Sequence, residues 1–450
     1  MLNNVFSKIV NRANAVVCGF VAITVIFSCY LVYYGAVFYG VNEKGDSLKE
    51  SIAKKEIRAA TIEGSITDST GDVITIAEEP GKSAKCLYKS YSQLVGFNNA
   101  VYGKYGLRGR YEDDLMTGDS THHGAVIKLT TVNRIQNAAY EEIRGTEGCV
   151  VVLENATGRI LALATSYPGV EMDVNDLSSN WSEMNSSEHD GFLIQNWRKA
   201  LAPGSTMKPV TATLIYDEGL ADEVYNDTGK EVIGSHSFRN AGNGVNGKIK
   251  LERAIVKSCN TYFAHMTNEI GAFKLQQRAE SFCIGGDLEL DFCTVHSEHN
   301  LMNSSTEEVA AAGFGQGRLL LTPVNIAMIG EAIANGGELK KPYIVDSISN
   351  SKETYYQGKT EILGTACTPE AAAYVSEAMK KAADSYGVDK TLGIHAKTGT
   401  AQVNGVYRAS FVSFNDRYTV CIVENNTKKA GKNLAGSAVR IYKELSKLPR

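Results

Sequence analysis

Three short clusters in this 450-residue chain carry residue types that can activate one another. The first is Ala202-Pro203-Gly204-Ser205-Thr206-Met207-Lys208. Pro and Gly end a loop and an apolar, helix-forming run follows, which predicts Ser205 at a helix N-terminus with Lys208 one turn on, facing the same side. A serine hydroxyl is a poor nucleophile until a base takes its proton. A lysine amine becomes that base when burial or a neighbouring cation lowers its pKa. The helix N-terminus also favours negative charge on the attacking oxygen and the intermediate. Ser-x-x-Lys is a cheap pattern, and Ser51 to Lys54 and Ser349 to Lys352 match it as well. The second cluster, Ser258-Cys259-Asn260, comes 53 residues after Ser205, behind the helical pattern Leu251 to Val256. A hydroxyl and an amide on one turn can pass a proton to a leaving amine and hold a substrate amide. Ser178 to Asn180 and Ser413 to Asn415 share that form, so a helix cap or turn is the plain alternative. The third, Lys397-Thr398-Gly399-Thr400, lies 139 residues beyond Ser258 and occurs once. Between apolar stretches it reads as an edge strand, with Gly399 admitting a substrate backbone and Lys397, Thr398 and Thr400 suited to a carboxylate.

These clusters need a scaffold. Cys149 to Leu153 and Ile160 to Ala164 are apolar runs around the turn Asn155-Ala156-Thr157-Gly158, a β-hairpin signal. A matching pair, Ser410 to Phe414 and Tyr418 to Val423, meets at Asn415-Asp416. Helical patterns lie between and after them, at Val324 to Ala334, Pro369 to Ala383 and Ala435 to Leu448. Strands at both ends of a helix-rich segment predict one sheet assembled from distant parts of the chain, an α/β domain over 148–450 with no internal repeat. Upstream, residues 44–60 form a charged helical stem and Ala60 to Ile76 alternates around Ser69-Thr70-Gly71-Asp72. A Tyr- and Gly-rich stretch, Tyr91 to Gly118, reads as loops and a short helix in a smaller unit over 40–147. Ala15 to Tyr39 is 25 residues without a charge, long enough to cross a bilayer. Lys8 and Arg12 precede it, so residues 1–14 are expected in the cytoplasm and everything after 39 outside. The composition of 43% apolar and 21% charged residues, with 42 Gly and only 8 Pro, excludes a disordered or collagenous chain. A net charge of −4 without basic blocks outside the termini argues against nucleic-acid binding. None of the nine cysteines forms a CxxC pair, which removes zinc-ribbon and thioredoxin readings. Cys283 and Cys293 are close enough in sequence to bridge, and most of the others read as buried thiols.

Taken in order, Ser-x-x-Lys, Ser-x-Asn and Lys-Thr-Gly resemble the motif set of penicillin-binding proteins, specifically the monofunctional class B transpeptidases. The likeness extends to Gly247 to Leu251 with Ala254 and Ser258 to Phe263, to Gly313 to Gly317 with Leu321-Thr322-Pro323, and to Ala334 to Gly337. Leu94 to Phe97, Tyr102-Gly103 and Gly106-Leu107 resemble the family's N-terminal pedestal, although Arg108 stands where an acidic residue is usual. Arg408-Ala409-Ser410-Phe411 lacks the usual Trp, a change expected to reshape the active-site rim. The resemblance implies a β-lactamase/transpeptidase-like domain, with a central antiparallel sheet flanked by helices, on a pedestal and one membrane helix. It implies D,D-transpeptidation of peptidoglycan stem peptides ending in D-Ala-D-Ala, without metal or organic cofactor. Ser205 would be the nucleophile, Lys208 the base and Ser258, linked to Lys208 and Lys397, the proton donor to the departing D-Ala. Asn260 would hold the stem peptide, Lys397 and Thr398 the terminal carboxylate, and the N–H groups of Ser205 and Thr400 the oxyanion. β-Lactams would acylate the same serine. A β-lactamase fits an anchored, pedestal-bearing chain poorly, and a β-lactam sensor would need a cytoplasmic output domain. A weakly catalytic scaffold that activates a membrane glycosyltransferase partner stays open. A glycosyltransferase domain of its own is not expected, for want of room.

Overall fold

The computed structural model describes residues 2–39, 48–119, 121–169, 171–184, 196–403 and 406–449. The chain opens with helix α1 (Leu2–Tyr39), whose apolar window Val10–Leu31 has mean hydropathy 2.1 and is not buried against the described residues. The helix starts well before the uncharged stretch, because the polar turns around Lys8 and Arg12 continue it. Helix α2 (Leu48–Ala60) is the charged stem, and its expected first residues, 44–47, lie outside the described ones.

Strands β1 (Ile66–Thr67), β2 (Val73–Ile76), β3 (Lys85–Cys86) and β4 (Val126–Leu129) begin the smaller unit. Asp68 Oδ1 closes the first turn by accepting from the N–H groups of Thr70 and Asp72 at 2.8 and 2.9 Å. Helix α3 (Asn133–Ile143) then leads into β5 (Glu147–Glu154) and β6 (Ile160–Ser166). A 3-10 turn, Gly204–Met207, runs without a break into α4 (Lys208–Asp217). Four short strands follow as two antiparallel ribbons, β7 (Tyr225–Asp227) with β10 (Gly247–Ile249) and β8 (Lys230–Ile233) with β9 (His236–Arg239). Helices α5 (Leu251–Lys257), α6 (Asn260–Ile270), α7 (Thr306–Ala312) and α8 (Pro323–Ala334) come next. Thr322 caps α8 by accepting from Asn325 N–H, with Pro323 in the first turn. The chain ends with β11 (Val345–Ser349), β12 (Thr354–Gln357), α9 (Pro369–Asp384), β13 (His395–Val403), β14 (Val406–Phe414), β15 (Tyr418–Thr427) and α10 (Ala435–Leu445).

The main sheet is antiparallel with order β13-β14-β15-β5-β6, so the two hairpins read from the sequence meet along β15 and β5. Strands β5 and β6 and most of β15 are buried almost throughout without alternation, because both faces of the sheet are covered there. Val150, Val152, Leu161 and Ile422 face α3 and α10, where Ile135, Ala139, Ile441 and Tyr442 lie. Val151, Leu153, Cys421 and Val423 face the opposite way, onto the helical core that includes Met328 and Ile329 of α8. A second sheet has the order β12-β11-β4-β1-β2-β3. Two of its strands therefore come from 345–357, far downstream of the other four, and β11 pairs antiparallel with β4. The sequence reading of a smaller unit over 40–147 did not include them. Arg108, in place of the expected acid, is 1% exposed and paired with buried Glu63 through Nε at 2.6 Å and Nη2 at 2.7 Å. All nine cysteines, Cys283 and Cys293 included, are free thiols.

Candidate active site

The three clusters converge on one site. Ser205 lies in the 3-10 turn, and Lys208, the first residue of α4, is completely buried beneath it. The Lys208 Nζ stands 2.8 Å from Ser205 Oγ, 2.7 Å from the Ser258 carbonyl, 3.0 Å from Ser258 Oγ and 2.7 Å from Asn260 Oδ1. Two of these neighbours, the carbonyl and the amide oxygen, only accept. They take the two N–H bonds of a neutral amine and leave its lone pair for a hydroxyl proton, the arrangement a base needs. Burial, reinforced by the charge of Lys397, pushes the Lys208 pKa well below the ordinary lysine value.

Ser258 sits between the two lysines. Its Oγ also accepts from Lys397 Nζ at 2.9 Å, and Lys397 donates to the Thr398 carbonyl at 3.0 Å. Burial lowers the Lys397 pKa too, while the Tyr386 hydroxyl beside it acts in the opposite sense. Ser258 ends α5 in the left-handed region, φ 51° and ψ 42°. That conformation costs a non-glycine residue about 1–3 kcal/mol, and it turns the chain so that Ser258 and Asn260 both reach Lys208. Asn260 starts α6 and donates its Nδ2 to the Arg239 carbonyl at 3.1 Å.

The third cluster lies on β13, the edge strand of the main sheet. Lys397 is completely buried, Thr398 half-buried and Thr400 exposed. Thr400 Oγ1 accepts from Gly431 N–H at 3.0 Å. Gly399 has a packing reason that the sequence reading did not include. A Cβ there would come within 2.2 Å of Ser410 Oγ and 2.8 Å of the Pro203 carbonyl, so the glycine lets the nucleophile loop lie on the sheet. Gly204 (φ 60°) meets the same strand, its virtual Cβ 3.3 Å from Thr400 N and 3.2 Å from Thr400 C, which places Ser205 beside the Thr400 backbone. Gly315, with φ 88°, closes the other side by accepting a bond from Gly204 N–H at 2.8 Å. The residues at 408–411 do not shape a rim. Arg408 is 3% exposed, and its Nη1 reaches the Leu321 carbonyl at 3.2 Å and the Ala202 carbonyl at 3.5 Å, while Ser410 Oγ donates to the Pro203 carbonyl at 3.3 Å. These side chains hold the nucleophile loop from below.

All eight residues singled out in the sequence thus lie together in one site. Others were missed. Phe263 and Phe314 put their rings 5.6 and 6.0 Å from Lys208 Nζ, and Tyr386 flanks Lys397. Phe263 and Phe314 stood in quoted stretches, but an isolated aromatic carries no sign of what it will face.

A family profile described as "Penicillin binding protein transpeptidase domain" matches residues 148–446. Penicillin-binding protein 3 of Bacillus subtilis is 27% identical over 369 residues, 74% of this chain and 52% of that relative, so the chain spans about half its length. A peptidoglycan D,D-transpeptidase PbpA of Mycobacterium tuberculosis is 29% identical over 357 residues, 69% of this chain and 70% of its own. Among solved structures, the D,D-transpeptidase domain of a peptidoglycan glycosyltransferase from Eggerthella lenta superposes with TM-score 0.79 at 26% identity, covering 87% of this chain and all of that one. The ceftriaxone acyl-enzyme of M. tuberculosis penicillin-binding protein A also gives 0.79 at 21% identity, covering 87% and 99%, and shows the shared fold.

Proposed function

The chain belongs to the penicillin-binding protein transpeptidase family, and from that premise we propose that it is a peptidoglycan D,D-transpeptidase working through an acyl-Ser205 intermediate. One observation carries the reading. A completely buried lysine with a pKa well below the ordinary value stands 2.8 Å from the hydroxyl of a half-buried serine. Lys208 takes the proton as Ser205 attacks the carbonyl of the penultimate D-Ala. The N–H groups of Ser205 and Thr400, on adjoining backbones, receive the oxyanion, where one donor is worth about 3 kcal/mol. Ser258, bonded to both lysines, returns the proton to the departing D-Ala. Asn260 holds the stem peptide, and Lys397 with Thr398 binds the terminal carboxylate of the donor. An amine from a neighbouring strand resolves the acyl-enzyme. β-Lactams acylate the same serine and leave slowly.

Helix α1 fits a single-pass membrane protein, and Lys8 and Arg12 ahead of the span support a cytoplasmic N-terminus with the cleft outside. The family resemblance supports a membrane glycosyltransferase partner, to be sought by co-purification of the full chain in detergent. The function is tested by incubating residues 40–450 with penicillin and following intact mass beside Ser205→Ala. The expected result is one persistent adduct, absent from the variant. An adduct lost within seconds would mark a β-lactamase, and no adduct on folded protein would sink the enzyme reading.

A further inference from the structure

Behind the second cluster lies a carboxylate that the mechanism above does not use. Asp227, at the end of β7, is 1% exposed, and no Lys or Arg among the described residues pairs with it. It accepts instead from neutral donors: Gly229 N–H at 2.8 Å, Asn240 Nδ2 at 3.0 and 2.9 Å, Asn246 N–H at 2.9 Å, Asn246 Nδ2 at 2.6 Å and Thr261 Oγ1 at 2.7 Å. A buried carboxylate without a counter-cation is costly to keep. Only a group that accepts on every side suits so many converging donors.

The bonds form a path to the cleft. Asn240 spends its amide hydrogens on Asp227 and on the Gly244 carbonyl at 3.0 Å, which turns its Oδ1 toward Thr261 N–H at 3.2 Å. The Arg239 carbonyl, one residue before Asn240, accepts Asn260 Nδ2, and Asn260 Oδ1 faces Lys208. Thr261, one residue after Asn260, is itself bonded to Asp227. Both chain segments that fix the Asn260 amide are therefore tied to the same carboxylate. We infer that Asp227 is a positioning residue for acyl transfer: it locks Asn240 and Thr261, and through them the rotamer in which Asn260 offers its oxygen to Lys208. The inference rests on the proposed acyl-Ser205 chemistry.

Asp227→Asn puts an NH2 group among those donors and releases the lock. The test is a double-mutant cycle on the penicillin acylation rate, measured per titrated site, with Asn260→Ala as the second change. Asp227→Asn is expected to slow the acylation step about 10- to 100-fold with the ligand dissociation constant within about threefold of wild type. In the Asn260→Ala background it is expected to add no more than about threefold. A purely structural staple would lower thermal stability and the number of titratable sites, yet leave the rate per site unchanged. That result, or effects that multiply in the double variant, overturns the inference. Thr261→Val, which removes a single donor, serves if Asp227→Asn does not fold; a several-fold slowing, again silent beside Asn260→Ala, is expected, and an unchanged rate overturns the inference. Failure of wild-type protein to acylate would instead remove the proposed function, so the two failures are told apart.

Discussion

Lys208 has to be neutral when it takes the serine proton, and its surroundings provide for this. Burial and the Lys397 charge depress its pKa, so the acylation rate is expected to climb with pH through the lowered value and level off well before the ordinary lysine range. A stopped-flow pH profile measures that limb; a rate still rising above pH 10 would contradict it. Lys208→Arg keeps a permanent charge at the same place and is expected to cut acylation at least a thousandfold. The depression also has a sign for stability. The unfolded lysine holds a proton that the folded one has released, so this group's contribution rises with pH and is lost on acidification. The eight site residues were legible because each group lies within a few positions in sequence, where spacing is geometry. Phe263, Phe314, Tyr386 and Asp227 were not, since each meets the site only through tertiary packing.

At the scale of elements, the nucleophile turn lies pressed between β13 and the loop at Gly315. Gly399→Ala is expected to cost about 1–3 kcal/mol through overpacking against Ser410 and Pro203 and to slow acylation about tenfold or more, read by thermal melting and adduct formation. An unchanged melting temperature would mean the two segments do not touch. Helix α8 supplies a pH effect of its own. Glu331 is fully buried, accepts from Asn335 Nδ2 at 2.7 Å, and is pushed by burial up to about 8. Unfolded, it ionises at ordinary carboxylate pH. Between those values the native state holds the extra proton, so its contribution to stability falls as pH rises, by up to about 1.4 kcal/mol per unit. Glu331→Gln is expected to flatten the decline between pH 5 and 8 in denaturant titrations. Both hairpins were readable from apolar runs, and the helical patterns Val324 to Ala334 and Pro369 to Ala383 match the observed helices to within a residue. The packing of Gly399 against Ser410 and Pro203 was not legible, because sequence shows an absent side chain, not what occupies the space.

Across the whole molecule, the smaller unit is not a separable appendage. Its sheet takes β11 and β12 from beyond residue 344, and its interior depends on the Glu63–Arg108 pair. Glu63→Gln is expected to leave a buried guanidinium uncompensated and to cost about 3–5 kcal/mol, visible as a lowered melting temperature. A fragment limited to 148–450 would expose the unpaired edge of β11, and aggregation by light scattering is expected where residues 48–450 stay monomeric. Sequence could not reveal this sharing, because a strand of five residues carries no mark of the partner it will take.

Strand β15 has a consequence for how the protein is made. It occupies the middle of the main sheet, with β5 on one side and β14 on the other. Ribosomes deliver β5 about 270 residues before its neighbour, as the pairing of Val152 with Val420 shows. The nascent polypeptide therefore cannot close this sheet until residues 418–427 have been made. A premature stop just after 417 would leave all three chemical clusters intact in the text of the gene and still yield no sheet on which to assemble them.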